Sequence, residues 1–200
     1  ARKMRGPNDT GRAQGCARIA AFSLSVNTSH DSSVSSLSDS LIFQLSFDPG
    51  FNSKADLSKL LPGEMMIVEW RGVPVYVVKH TQESMAVLNK NLSRLSDPDS
   101  VEDQQPDYAR NELRSRKKGI SIITAVCTHL ACAPKFYPQL GITDFDSDWQ
   151  GGFFCPCHGS KFDLAGRVYA GVPAPTNLPI PPHYFKTENI LIIGEDEGTV

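Results

Sequence analysis

"CTHLACAP", residues 127–134, and "CPCHGS", residues 155–160, decide how this chain is read. These two short boxes hold four cysteines and two histidines, and twenty-two residues separate Cys132 from Cys155. Each box follows an apolar run, "ISIITAV" before the first and "GGFF" before the second, so each sits on a tight loop after a strand. Two such loops can face each other across a metal. The spacings C-x-H and C-x-x-H offer Cys127, His129, Cys155 and His158. Zinc accepts two thiolates and two imidazoles. However, C-x-H is an unusual spacing for zinc, and that reading leaves Cys132 and Cys157 without a role. A two-iron cluster, with cysteines on one iron and histidines on the other, explains the residue types better. Cys132 and Cys157 can then bridge the loops, which requires Cα atoms about 4.4–6.8 Å apart.

The rest of the chain sets the context. Two hundred residues suffice for one sizeable domain, or a domain and a tail. A formal net charge of -2 gives no nucleic-acid footprint, so no nucleic-acid partner is expected. Fourteen prolines and fifteen glycines imply many turns and a β-rich fold. No apolar run reaches the roughly 18 residues that a membrane span needs; "IAAFSLSV" and "LIFQLSF" are too short.

Residues 1–53 form an atypical low-complexity segment. Ten serines fall within residues 23–46, and the isolated Cys16 and His30 lie in the same half. Such composition predicts disorder, because it buries too little apolar surface to offset ordering entropy. From residue 54 the pattern changes, which defines a second region, residues 54–200. "MMIVEWRGVPVYVVKH" reads as a hairpin turning at Arg71-Gly72. "TQESMAVLNKNLSRL" carries Met85, Leu88, Leu92 and Leu95 at helical spacing, with Thr81 or Ser84 as cap. Residues 96–119 are polar and charged and read as a surface loop with solvated charges. "NILIIG" reads as a closing strand, and His80 and His183 read as ordinary surface or loop histidines.

The two boxes resemble those of the Rieske iron–sulfur proteins. Segments such as "ADLSKLLPGEMMIVEWRGVPVYVV", "QQPDYARNELRS" and "WQGGFFCPCHGSKFDLAGRVYAGVPAPTNLPIPPH" resemble the proteobacterial Rieske subunit of the cytochrome bc complex, across residues 54–194. The resemblance implies an all-β Rieske fold. Antiparallel sheets, one short helix and a small inserted cluster-binding subdomain at about residues 125–176 are expected. It implies one [2Fe-2S] cluster, with Cys127 and Cys155 on the inner iron and His129 and His158 on the outer. It further implies a Cys132–Cys157 disulfide, a hydrogen bond from Ser160 to a bridging sulfide, and a proline loop at residues 171–175 over the cluster. Leu130 is expected at the cluster tip.

The implied function is electron transfer in a quinol–cytochrome c reductase, where the chain is a subunit and not a complete enzyme. One electron from ubiquinol would pass to a c-type haem, coupled to a proton on His129 or His158. The implied partners are cytochrome b, a c-type cytochrome and ubiquinol, at the periplasmic side of a bacterial inner membrane. The physical basis is charge. Two ferric ions, two sulfides and two thiolates sum to zero with neutral histidines, so reduction is easier than with four thiolates. Reduction then raises the affinity of the histidines for protons.

The alternatives are a Rieske ferredoxin or oxygenase component, the Rieske subunit of another periplasmic oxidase such as arsenite oxidase, and a structural zinc module. Ferredoxins and oxygenases usually lack the extra cysteine pair, and the hairpin resembles the quinol complex better than arsenite oxidase. Three departures from the family pattern stand out. The serine-rich segment occupies the place of the anchor helix and hinge, so membrane association is expected from the family and not from this chain's residues. Ala131 stands where a glycine is usual, and Phe162 where a tyrosine is frequent.

Overall fold

Arg71 and Gly72 both adopt positive φ, 53° and 72°, the signature of a tight hairpin turn whose twist matches its strands. Arg71 lies over the Trp70 ring at 4.9 Å. The turn joins β2 (Met65–Trp70) to β3 (Val73–Lys79), and β4 (Ile120–Thr124) pairs antiparallel on the far side of β3. The computed structural model in which this is seen describes residues 52–90 and 92–196. Cys16, His30 and nearly all of the 1–53 segment lie outside the described residues.

Period-two patterning explains why both faces of β3 and β4 are buried. Val75 and Val77 face one apolar core, with Leu57, Leu60, Ile120, Ile122, Leu191 and Ile193. Tyr76 and Val78 face a second core, with Ile123, Ala125, Phe153 and Phe162. Both faces are therefore covered, and the continuous apolar run "VYVV" follows from that. A second sheet pairs β1 (Ser53–Asp56), β9 (Ile190–Ile193) and β8 (His183–Phe185) in the order β1-β9-β8. The third sheet, in the order β5-β6-β7, joins β5 (Lys135–Gly141), β6 (Trp149–Phe154) and β7 (Lys161–Phe162). All of the pairings are antiparallel.

Two expectations need correction. The helical pattern of residues 81–95 yields only α1 (Gln82–Val87), capped by Thr81, and a separate 3-10 turn at Leu92–Arg94. Tertiary pairing overrides the spacing. The Arg94 carbonyl accepts from the Ala170 amide, and Leu95 bridges to Tyr169. The polar stretch 96–119 is also not simply a solvated loop. Arg114 is fully buried, donating to the Ala165 carbonyl at 3.1 Å and to Gln105 Oε1 at 2.9 Å. Ser100, Gln105 and Ser115 are buried with it. Their partners lie partly across the chain, so local polarity hides their burial.

Candidate metal centre

The face that carries Ile123 on β4 continues through Ala125, just past the strand, to Cys127, which packs in the same core. On β6 the same rule carries Phe153 to Cys155. Strand periodicity thus aims both cysteines inwards, and each is only 2% exposed.

The loops that follow share one hydrogen-bond pattern. The Cys127 amide donates to the Cys132 carbonyl, and the Ala131 amide to the Cys127 carbonyl. In the second loop the Cys155 amide donates to the Ser160 carbonyl, and the Gly159 amide to the Cys155 carbonyl. Both loops turn through a left-handed residue at the fifth position, Ala131 at φ 60° and Gly159 at φ 78°. The fourth positions, Leu130 and His158, are exposed. Leu130 keeps 64% of its surface open, which makes it a large apolar side chain at the loop tip.

Facing loops bring the side chains together. The rings of His129 and His158 meet edge to face at 4.7 Å. The Cys127 and Cys155 thiols are free and interact directly. Cys132 and Cys157 form a disulfide between the loops, with Cα atoms 6.6 Å apart. The sulfurs of Cys132, Cys155 and Cys157 also lie within 4.8 Å of one another. That trio is not a ligand set, because two of its sulfurs are bonded to each other.

The remaining donors fit a metal cluster. His129 Nδ1 is buried and has no hydrogen-bond partner, an arrangement that costs free energy unless something accepts its lone pair. Burial pushes the Cys155 thiol up to about 11, against the pull of the Cys157 and His158 amides, and the Cys127 sulfur adds to the rise. Those amides point at Cys155 and favour its thiolate once a cation displaces the proton.

Ser160 is fully buried at the end of the second loop, and its Oγ accepts from the Ala174 amide at 3.0 Å. That contact docks residues 171–175 against the box, with Pro173 and Pro175 exposed and Ala174 buried. Thr128 Oγ1 donates to the Thr176 carbonyl at 2.8 Å and ties the first box to the same segment. Tyr76 reaches up from β3, donates to the Pro134 carbonyl at 2.6 Å and stacks on Phe153 at 5.5 Å. Sequence reading missed Thr128 and Tyr76. Thr128 sits inside the box, but only the fold reveals its partner. Phe162, on β7, is buried in the core that holds Cys127 and Cys155.

His80 and His183 are not surface histidines, which corrects the expectation. His80 is 6% exposed and bonded through Nε2 to Ser121 Oγ at 2.7 Å. His183 is fully buried, with Nδ1 2.8 Å from the Pro181 carbonyl and its ring edge-on to Tyr108. Neither is near the boxes in sequence, and each serves the base of the fold.

The Rieske [2Fe-2S] domain pattern matches residues 100–182. The chain is 51% identical to the ubiquinol-cytochrome c reductase iron-sulfur subunit of Allochromatium vinosum over 146 residues, 73% of this chain and 70% of that protein. The chain belongs to the Rieske iron–sulfur family. The corresponding subunit of Rhodospirillum rubrum is 39% identical over 143 residues, covering 72% of this chain and 70% of its own length. Among solved structures, the plasma membrane Rieske protein of Synechocystis PCC 6803 superimposes with a TM-score of 0.40 and 21% identity, covering 70% of this chain and 96% of that one. The cofactor of this Rieske protein is a [2Fe-2S] cluster, and its role is that of an electron-transfer subunit and not of a complete enzyme.

Proposed function

We propose that this Rieske protein takes one electron from ubiquinol and passes it to a c-type haem within a quinol–cytochrome c reductase. Cys127, His129, Cys155 and His158 would hold the cluster, and Cys132–Cys157 would lock the two loops that carry them. The observation that carries this reading is the sorting of the six side chains. The two buried free thiols meet each other, the two histidine rings meet each other with one ring nitrogen buried and orphaned, and the other two cysteines are bridged. The bound cluster supplies a single-electron acceptor with a high potential for an iron–sulfur centre.

The chain's own residues do the rest. His158 is exposed, so its outer ring nitrogen can accept a hydrogen bond and then a proton from a quinol hydroxyl. Leu130 is an exposed apolar side chain at the tip of the first loop, and Pro173 and Pro175 are exposed on the segment docked against the second box, apolar surface that suits a hydrophobic quinol pocket. Ser160 accepts from Ala174, which leaves its own proton free to donate to a cluster sulfur. Ala174 of the 171–175 segment packs in the same buried core as the two thiols.

Partners would be cytochrome b and a c-type cytochrome, on the periplasmic side of a bacterial inner membrane. Among the described residues no helix is long and apolar enough to cross a membrane. An electron paramagnetic resonance spectrum of the reduced protein tests the reading. A Rieske signal that is lost in His129→Ala and His158→Ala supports it. A silent spectrum with one bound zinc would refute it.

A further inference from the structure

Cys155 stands between two sulfur partnerships. Its thiol meets the Cys127 thiol on one side. On the other side, its sulfur and those of the Cys132–Cys157 bridge all lie within 4.8 Å of one another. Cys127 does not belong to that trio. A free thiol held beside a disulfide is placed for thiol–disulfide exchange, and holding it in the same fold replaces a bimolecular encounter by a unimolecular one.

We propose that Cys155 attacks the bridge in the cluster-free protein and converts Cys132–Cys157 into Cys132–Cys155. The inference rests on the reading of Cys155 as an iron ligand. On losing its proton, the Cys155 sulfur forms a new bond to Cys132 Sγ, the Cys132–Cys157 bond breaks, and Cys157 leaves as a thiolate that takes up the proton Cys155 gave away. No external oxidant or reductant is consumed.

Attack is directed at Cys132. The alternative product would close a ring between Cys155 and Cys157 across Pro156 alone, whose φ is fixed by its own ring. The product still ties the two loops, so the fold has little reason to resist it. It removes one thiolate from the ligand set, however, and the chain can no longer hold the cluster. A bound cluster occupies Cys155 and blocks the exchange. The same four cysteines that build the site therefore give the cluster-free chain a way to lock itself out of assembly.

The test uses the full chain, loaded and then stripped of iron by anaerobic chelation. Free thiols are blocked with iodoacetamide after increasing times, and peptides are mapped by mass spectrometry with fragmentation. The loaded protein should show only Cys132–Cys157, with Cys127 and Cys155 unmodified. The stripped protein should accumulate Cys132–Cys155 with the alkyl group on Cys157, and its capacity to rebuild the cluster should fall in step. Purified without a cluster and mapped in the same way, the Cys127→Ser variant should form the same isomer, whereas Cys155→Ser should keep the original bridge. A stripped protein that retains Cys132–Cys157 with alkyl groups on Cys127 and Cys155 overturns the exchange. Alkylation of Cys155 in the loaded protein with its spectrum intact overturns the ligand assignment instead.

Discussion

Ser160 shows how much one side chain can carry. It is fully buried, and its oxygen already accepts from the Ala174 amide, so its hydroxyl proton must find another acceptor. A cluster sulfur is the acceptor the site would offer. Ser160→Ala should therefore lower the midpoint potential, because a bond to the more negative reduced state is lost. A net hydrogen bond of about 0.5–1.5 kcal/mol corresponds to tens of millivolts for one electron. Phe162→Tyr should raise the potential by a similar amount, since Phe162 shares the core of Cys127 and Cys155. Redox titration decides both, and a Phe162→Tyr potential that stays put with an intact spectrum would show that the added hydroxyl makes no hydrogen bond to a cluster cysteine. Ala131 is a different kind of residue. It is exposed and left-handed, so its methyl group costs conformational energy and packs against little. Ala131→Gly should stabilise the loaded protein by about 1 kcal/mol in denaturant unfolding.

At the scale of elements, the third sheet and its two loops behave as one piece. Gly152 shows why the "GG" of β6 cannot be replaced. A Cβ there would fall 2.0 Å from the Phe162 carbonyl, and φ is 147°. Gly152→Ala should force β7 away from β6 and abolish cluster incorporation, measured as loss of the visible absorbance of the purified protein. The bridge acts across the same piece, closing a separation of 25 residues. Replacing both Cys132 and Cys157 by serine should cost about 2–5 kcal/mol. It should also speed cluster loss on warming, and unchanged retention would show that the loops hold without it. The strands of this region were legible because each combines β-branched or aromatic residues with a marked turn. The "RG" hairpin, "ISIITAV" and "NILIIG" all fell where the structure has strands. The boxes were legible because cysteine and histidine are rarely grouped without chemistry. What stayed hidden depends on distant partners. Thr128 needs Thr176, Tyr76 needs Pro134, and Arg114 needs Gln105 and Ala165. The second half of the 81–95 pattern was misread because Leu95 pairs with Tyr169 rather than with its own helix.

For the whole molecule, the two buried histidines of the base link folding to acidity. Burial lowers His80 from 6.5 to about 4. Burial also lowers His183 to about 4, opposed by the Pro181 carbonyl, with Arg116 adding to the fall and Asp196 resisting it. Both are neutral in the folded chain over a range where the unfolded chain binds protons. The unfolded state then holds more protons, and stability rises with pH. The contribution is complete above 6.5 and is lost as pH falls from 6.5 to about 4. Each histidine contributes at most roughly 3 kcal/mol, from 1.36 kcal/mol per pKa unit. Urea unfolding of the loaded protein should therefore show a stability that declines across this interval. Acid titration of the cluster ligands adds its own slope, so the decisive quantity is a difference. His183→Gln and His80→Gln each remove one titrating group and should each flatten the decline relative to the parent chain, whatever their stability at neutral pH. The cluster potential of either variant should stay that of the parent, because both histidines serve the base of the fold. A decline equally steep in both variants would assign the acid sensitivity to the metal centre and not to the base.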